Sequence, residues 1–239
     1  MHRPVDRAIS ATLFAISLAI VPAATAGTIV GRATYAGAPP QPRHIRMTAD
    51  PECDRMNPDG IASQTLVVTS NGAVAGVVVS IKEGLDKDAK YPAPSVSVTL
   101  DQKGCMFIPH VLGVQVGQVL EIKNSDATMH SVHAAPVVGS AFNTAMPMLN
   151  QVIKKKFDAR EVAVRVKCDV HPWTSAYVAV VEHPFFAISG IDGSYAIENL
   201  PAGTYTIEAW HETLGDQVSL PVKVSDSGTT PVNFSFAGK

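Results

Sequence analysis

The sequence predicts an all-β protein, and three observations carry that prediction. Helical periodicity is nearly absent along the chain. Short alternating or β-branched runs recur instead, among them TIVGRATY, GAVAGVVVSI, SVSVTL, EVAVRVKC, AYVAVVE, GSYAIENL, GTYTIEAW and QVSLPVKV. Side chains of this kind suit a pleated, half-buried surface. The runs are separated by Gly, Pro, Asn and Asp, the residues that make turns. With 239 residues, the chain could close these strands into one large sandwich or two small ones.

The N-terminus reads as a leader, spanning residues 1–26. Arg3 and Arg7 precede an apolar run from Ala8 to Val21, and Ala24-Thr25-Ala26 supplies an A-x-A cleavage site before Gly27. Run length and flanks match a secretory signal better than a membrane span. No later run reaches the roughly 18 apolar residues that a span requires. The expected location is therefore periplasmic or secreted, with no membrane span once the leader is gone. Loss of Arg3, Arg7 and Asp6 moves the formal net charge from −2 to −3. So balanced a chain lacks the basic excess of a nucleic-acid binder, and none is expected as a partner. Lys154-Lys155-Lys156 is its one basic run and reads as a solvated strand end.

Three cysteines, Cys53, Cys105 and Cys168, remain to be placed. In an exported protein an even pair is oxidised and the odd one needs a reason. Cys168 has His171 three residues on, which makes it the candidate free thiol and pairs Cys53 with Cys105.

Polar, proline-bearing Asp86–Ser95 suits a linker, and Glu182–Phe186 is a second junction. Between them, Cys105–Ala134 reads as two strands joined at Gly117, with a loop that ends in His130. Some forty residues later comes Cys168-Asp-Val-His171. One distant histidine and a close Cys/His pair make a His₂Cys set, the trigonal donor set of a blue-copper electron-transfer site. Soft thiolate selects copper and imidazole suits it. Ligation needs a thiolate, which accounts for a cysteine kept out of the disulfide.

The pattern F-x-P, V-x-V-G-x-V-x-x-x-x-N-x-D, H and C-x-x-H, from Phe107 to His171, resembles the cupredoxin family of plastocyanins and their relatives, a resemblance that covers about ninety residues. The short loop Cys168–Trp173 is most similar to that of amicyanin, which has C-x-x-H-P-x-M. The resemblance implies a Greek-key β-sandwich, with His130, Cys168 and His171 as equatorial ligands of one copper ion per chain. Asn124 would sit on the loop that orders the site. Thr174 stands where amicyanin has its axial methionine, so no methionine sulfur is expected from that position. Met129, Met146 and Met148 are near in sequence, and His110 and His133 are spare histidines. An extended strand would turn His133 to the face opposite His130. Trp173 reads as a shield over the site, and Trp210-His211-Glu212 as a structural or interfacial group.

The C-terminal part has its own signature, GIDGSYAIENLPAGTYTIEAW, from Gly190 to Trp210. Asp192-Gly193 marks a tight turn. After the second turn, Tyr205, Ile207 and Ala209 alternate with Thr204, Thr206 and Glu208, as in a strand with one buried face. The stretch resembles the carboxypeptidase regulatory-like, or prealbumin-like, domain, whose pattern is D-x-x-G-x-Y followed by L-P-x-G-x-Y. Gly190 replaces the aspartate. That family opens with a strand such as Gly27–Pro40, here about 150 residues upstream. The resemblance therefore implies an insertion, with an outer sandwich over 27–90 plus 183–239 and a cupredoxin over 91–182.

The function expected is one-electron transfer between periplasmic redox partners, such as a c-type cytochrome or a periplasmic dehydrogenase. No acid–base constellation accompanies the donor set, so an enzyme is not expected. The alternative is a copper chaperone or storage protein, for which the spare histidines and missing methionine speak.

Overall fold

The computed structural model describes residues 26–219 and 221–238, so the leader lies outside it apart from Ala26. The described residues are all-β, with one six-residue helix among them, Pro51–Met56. No helix among the described residues is long and apolar enough to cross a membrane.

Two pairs of sheets enclose two separate apolar cores. In the first pair, strand Gly27–Ala36 runs antiparallel to Ser194–Leu200, with Ile29 opposite Ile197. On its other side it runs parallel to Thr229–Pro231 and Phe234–Ala237. The facing sheet places Phe186–Ile188, Val78–Glu83, Gly203–His211 and Gly215–Val218 in that order. Alternation decides which side chains go in: Tyr205, Ile207 and Ala209 are buried, along with Ile29, Ile81, Ile197 and Phe236. Two tyrosine hydroxyls are satisfied by backbone carbonyls, Tyr195 at Val232 and Tyr205 at Pro201.

The second pair is built from residues 98–181. One sheet runs Phe142–Met146, His130–Ala134, Glu161–Lys167, Ser175–Val181, Val111–Gln115, and the other runs Val152–Lys155, Leu120–Asn124, Val98–Lys103, Met106–Ile108. Each sheet contains one parallel pair: Ser175–Val181 with Val111–Gln115, and Val98–Lys103 with Leu120–Asn124. Parallel neighbours cannot be joined by a tight turn. Here the intervening chain crosses to the opposite sheet, which makes the unit a sandwich rather than a meander. Leu100, Phe107, Leu120, Ile122, Val132 and Val178 fill its core.

Two sequence expectations need correction. The stretch before Gly117 is two strands, because the chain breaks at Pro109, which has no N–H to give a ladder. Met106–Ile108 and Val111–Gln115 then fall in opposite sheets. The run from Gln217 to Val224 likewise divides into Gly215–Val218 and Val222–Val224. The expected turn at Asp192-Gly193 is present, with Gly193 at φ +76° where a side chain would be strained, and it joins strands of facing sheets.

A third, small apolar cluster of Met47, Cys53, Cys105 and Met106 lies under residues 44–62. This segment is a two-residue strand pair, His44–Ile45 with Ile61–Ala62, around the short helix. No sequence pattern had singled it out.

Candidate metal centre

Strand pairing sets two of the proposed donors side by side. His130 opens the strand His130–Ala134, and Cys168 follows the last residue of Glu161–Lys167; these strands pair, with Lys167 opposite His133. The chain then turns back within a loop closed by its own backbone. Cys168 N–H donates to the Thr174 carbonyl at 3.1 Å, and Thr174 N–H to the His171 carbonyl at 3.0 Å. That loop turns His171 back toward Cys168. The donor atoms form a triangle: the His130 and His171 Nδ1 atoms are 3.0 Å apart, and Cys168 Sγ is 4.0 and 3.8 Å from them. All three residues are buried, with His130 at 0%, His171 at 1% and Cys168 at 3% exposure.

The outer edge of each imidazole meets a carboxylate. His130 Nε2 lies 3.0 Å from Asp126 Oδ2, and His171 Nε2 lies 3.1 Å from Asp50 Oδ2. A carboxylate only accepts, so each Nε2 carries a proton, and in the neutral imidazole each Nδ1 turns its lone pair into the triangle. Two lone pairs and a sulfur then converge on one dry point. That arrangement is repulsive unless a cation or a proton occupies the centre.

Ionisation follows the same logic. Burial opposes charge on His130, but Asp126 and Cys168 outweigh it and raise its pKa to about 9. Burial likewise opposes a thiolate at Cys168, yet the two histidines and the Ser131 N–H, 3.3 Å from Sγ, lower its pKa to about 5. For His171 burial acts downward, and Cys168 and Asp50 bring the net shift upward. Cys168 is thus a ready thiolate at neutral pH, the form that binds metal.

The donor set fits a metal ion. Bonds of about 2.0–2.3 Å to imidazole nitrogen and thiolate sulfur, as seen at zinc, would span sides close to those of this triangle. Cys168 is the free thiol, because Cys53 and Cys105 form a disulfide.

Other candidates lie elsewhere. His110 faces the Ser175 carbonyl through Nδ1 at 2.9 Å and Glu212 through Nε2, so neither nitrogen is left for a metal. His133 Nδ1 meets Asp169 at 3.0 Å on the surface. Thr174 is buried, and its hydroxyl donates to the Cys105 carbonyl at 2.6 Å. Met129 and Met148 are exposed; Met146 is buried opposite His130 in the strand register, hence on the same face of the sheet. Asn124 orders the preceding loop, donating to the Met146 and Thr128 carbonyls and accepting the Asp126 N–H. Trp173 packs on His171 with ring centroids 5.2 Å apart. In the Trp210-His211-Glu212 group, Trp210 packs on Tyr177 and Glu212 meets His110, so this group joins the two sandwiches.

Sequence reasoning missed Asp126 and Asp50. Asp126 had a signal, since it stands four residues before His130. For Asp50, the sequence Asp-Pro-Glu marks a helix start but says nothing of His171.

No protein-family model matches the chain, and no curated relative matches it. Among solved structures, a copper-containing nitrite reductase from Thermus scotoductus SA-01 aligns over 42% of this chain and 25% of its own, at 24% identity and TM-score 0.34. An oxidised amicyanin variant aligns over 35% of this chain and 81% of its own, at 23% identity and TM-score 0.32. A purple cupredoxin from Nitrosopumilus maritimus covers 36% and 99%, at 19% identity and TM-score 0.31. Likeness at this level leaves the function to the residues themselves.

Proposed function

We propose that His130, Cys168 and His171 bind a single copper ion and that the chain is an exported one-electron carrier. One observation carries this reading: two imidazole Nδ1 atoms and a cysteine sulfur converge in a buried triangle, and both Nε2 atoms are tied to carboxylates. Thiolate with two imidazoles is the donor set of blue-copper centres. Copper would supply the change of oxidation state: reduction of Cu(II) to Cu(I) takes up one electron and reoxidation releases it. The chain supplies the rest. Two paired strands of one sheet fix His130 and Cys168, the closed loop fixes His171, and the carboxylates fix both tautomers, so little has to move when the charge changes.

Burial of all three donors favours a carrier over a chaperone, which must hand its metal on, and over an enzyme, which must admit a substrate. The partner would be a redox protein of the same compartment, such as a c-type cytochrome or a periplasmic dehydrogenase. Pairing of Gly27–Ala36 with Ser194–Leu200 supports a cupredoxin over 91–182 inserted into a prealbumin-like sandwich. The leader at residues 1–26 supports a periplasmic or secreted location.

Metal analysis of the purified protein, with its visible spectrum and voltammogram, tests the reading. The expected result is one copper per chain, an intense thiolate-to-copper band and a reversible one-electron wave. A Cys168→Ala protein that keeps the copper and an unchanged spectrum overturns it.

A further inference from the structure

We propose that Asp50 is a positioning residue of the metal centre, placed against His171 by a covering segment that the Cys53–Cys105 disulfide ties down. The inference rests on the metal reading above. Asp50 comes from none of the strands that carry the three donors. It is the N-cap of the helix Pro51–Met56, and its Oδ1 accepts the Glu52 and Cys53 N–H groups at 2.8 and 3.0 Å. Its Oδ2 accepts from His171 Nε2 at 3.1 Å and from the Thr128 hydroxyl at 3.4 Å. One oxygen thus anchors the carboxylate to its own helix and the other orients the imidazole. With the proton held on Nε2, His171 has no tautomer except the one that bares Nδ1.

The cover is closed over this contact. Cys53 Sγ lies 3.5 Å from His171 Nε2, and Trp173 packs on the same ring. Cys105 joins the parts. Its sulfur bonds Cys53, on the helix that Asp50 caps. Its N–H donates to Asp126, the partner of His130, at 2.8 Å. Its carbonyl accepts from Thr174, at the end of the Cys168–His171 loop. Cys105 holds φ at +60°, a left-handed conformation that a non-glycine residue adopts only where its surroundings dictate it. A single disulfide therefore connects the supports of all three donors. Released from it, the helix keeps only weaker ties, such as Asn57 Nδ2 to the Gly104 carbonyl at 3.2 Å.

The experiment separates positioning from helix capping. Asn and Ser cap a helix about as well as Asp. Asn, however, turns either an amide N–H₂ or a weaker acceptor toward His171, and Ser does not reach it. Copper(II) affinity is measured by competition with a chelator in the unsubstituted protein, D50N, D50S and D50E, with the thiolate-to-copper band and the unfolding midpoint of the metal-free form. The expected result for D50N and D50S is copper binding weaker by about 10–100-fold, the usual effect of losing such a partner, with a shifted band and a nearly unchanged midpoint. D50E should recover part of both. Wild-type affinity and spectrum in D50N and D50S overturn the positioning role. Absence of copper binding in the unsubstituted protein overturns the metal reading itself, and the inference with it. For the tether, the C53A/C105A protein should release copper to the chelator at least about tenfold faster, on the same scale of loss. An unchanged release rate overturns that part.

Discussion

Asp126→Asn isolates the charge of one support while leaving its shape. Asp126 is buried, with 3% of its side chain exposed, and its Oδ2 faces His130 Nε2 at 3.0 Å. An ion held at His130 Nδ1 would lie about 7 Å from that carboxylate, so at an effective dielectric of about 20 their attraction is about 2.4 kcal/mol per unit charge. Oxidation of copper adds one unit of positive charge. The carboxylate therefore favours the oxidised form by that amount, and its removal raises the reduction potential. A one-electron shift of about 59 mV corresponds to about 1.4 kcal/mol, so the expected rise is about 100 mV. Asn also has one oxygen where Asp offers two. Asp126 Oδ1 accepts the Gly104 N–H and Oδ2 the Cys105 N–H, both at 2.8 Å, and one of these donors loses its acceptor. The metal-free variant should lose about 1–3 kcal/mol of stability for that reason. Voltammetry of the copper-loaded protein reads the potential, and denaturant unfolding of the metal-free form reads the stability. Glu121→Gln serves as the reference, because Glu121 pairs with Lys154 on the surface, where solvent and salt screen it. An unchanged or lower potential in Asp126→Asn, or an equal rise in Glu121→Gln, refutes the electrostatic reasoning.

Three further outcomes are expected. In the metal-free protein, Cys168 contributes stability that is full above its unfolded value of 9.0 and drains away as pH falls through about 5, whereas the contribution of His130 is full below 6.5 and lost as pH rises through about 9. The two slopes oppose each other between 6.5 and 9, where His171, also raised, makes stability decline as pH rises; below 6.5 unfolding free energy should fall toward pH 5, and less steeply in Cys168→Ser, where the lowered His183 and His211 still act in that direction. Removing the disulfide, whose cysteines are 52 residues apart, should cost the metal-free protein about 4 kcal/mol by the loop-entropy relation; a thiol count on the unfolded, unreduced chain should find one free thiol, and three would contradict the bond. Thr174→Val strips the Cys105 carbonyl of its donor inside the core and should lower stability by about 1–3 kcal/mol, whereas an unchanged unfolding midpoint would show that water or another group replaces the hydroxyl.

The parts of this molecule that could be read from sequence are those where residue type alone limits the choice. Strands announced themselves through alternation, as in Tyr205, Ile207 and Ala209, because a sheet with one wet face requires it. Cys168 stood out because an exported chain with an odd cysteine beside a histidine needs a reason for the thiol. The structure brings His130 and His171 beside it, the two neighbours that a His₂Cys set calls for. Pro109 was visible, yet it was read as part of a strand, and only the sheet assignment shows that the chain changes layers there. His110 was a candidate donor until its two nitrogens proved taken by Ser175 and Glu212, the latter 102 residues away. The supporting carboxylates are the harder case. A group that merely accepts a hydrogen bond can be any Asp or Glu, and the chain has 21 of them. Asp126 lies four residues from His130, within reach of a local pattern. Asp50 lies 121 residues from His171, and nothing in its neighbourhood points there. What brings it to the imidazole is the helix it caps, and what holds that helix is Cys53. Oxidation state, cysteine count and the histidine beside Cys168 predict the disulfide, as a staple. Its consequence for the centre comes from what the two bonded residues touch: a carboxylate at the Cys105 N–H, a threonine at its carbonyl, and a histidine edge beside the Cys53 sulfur.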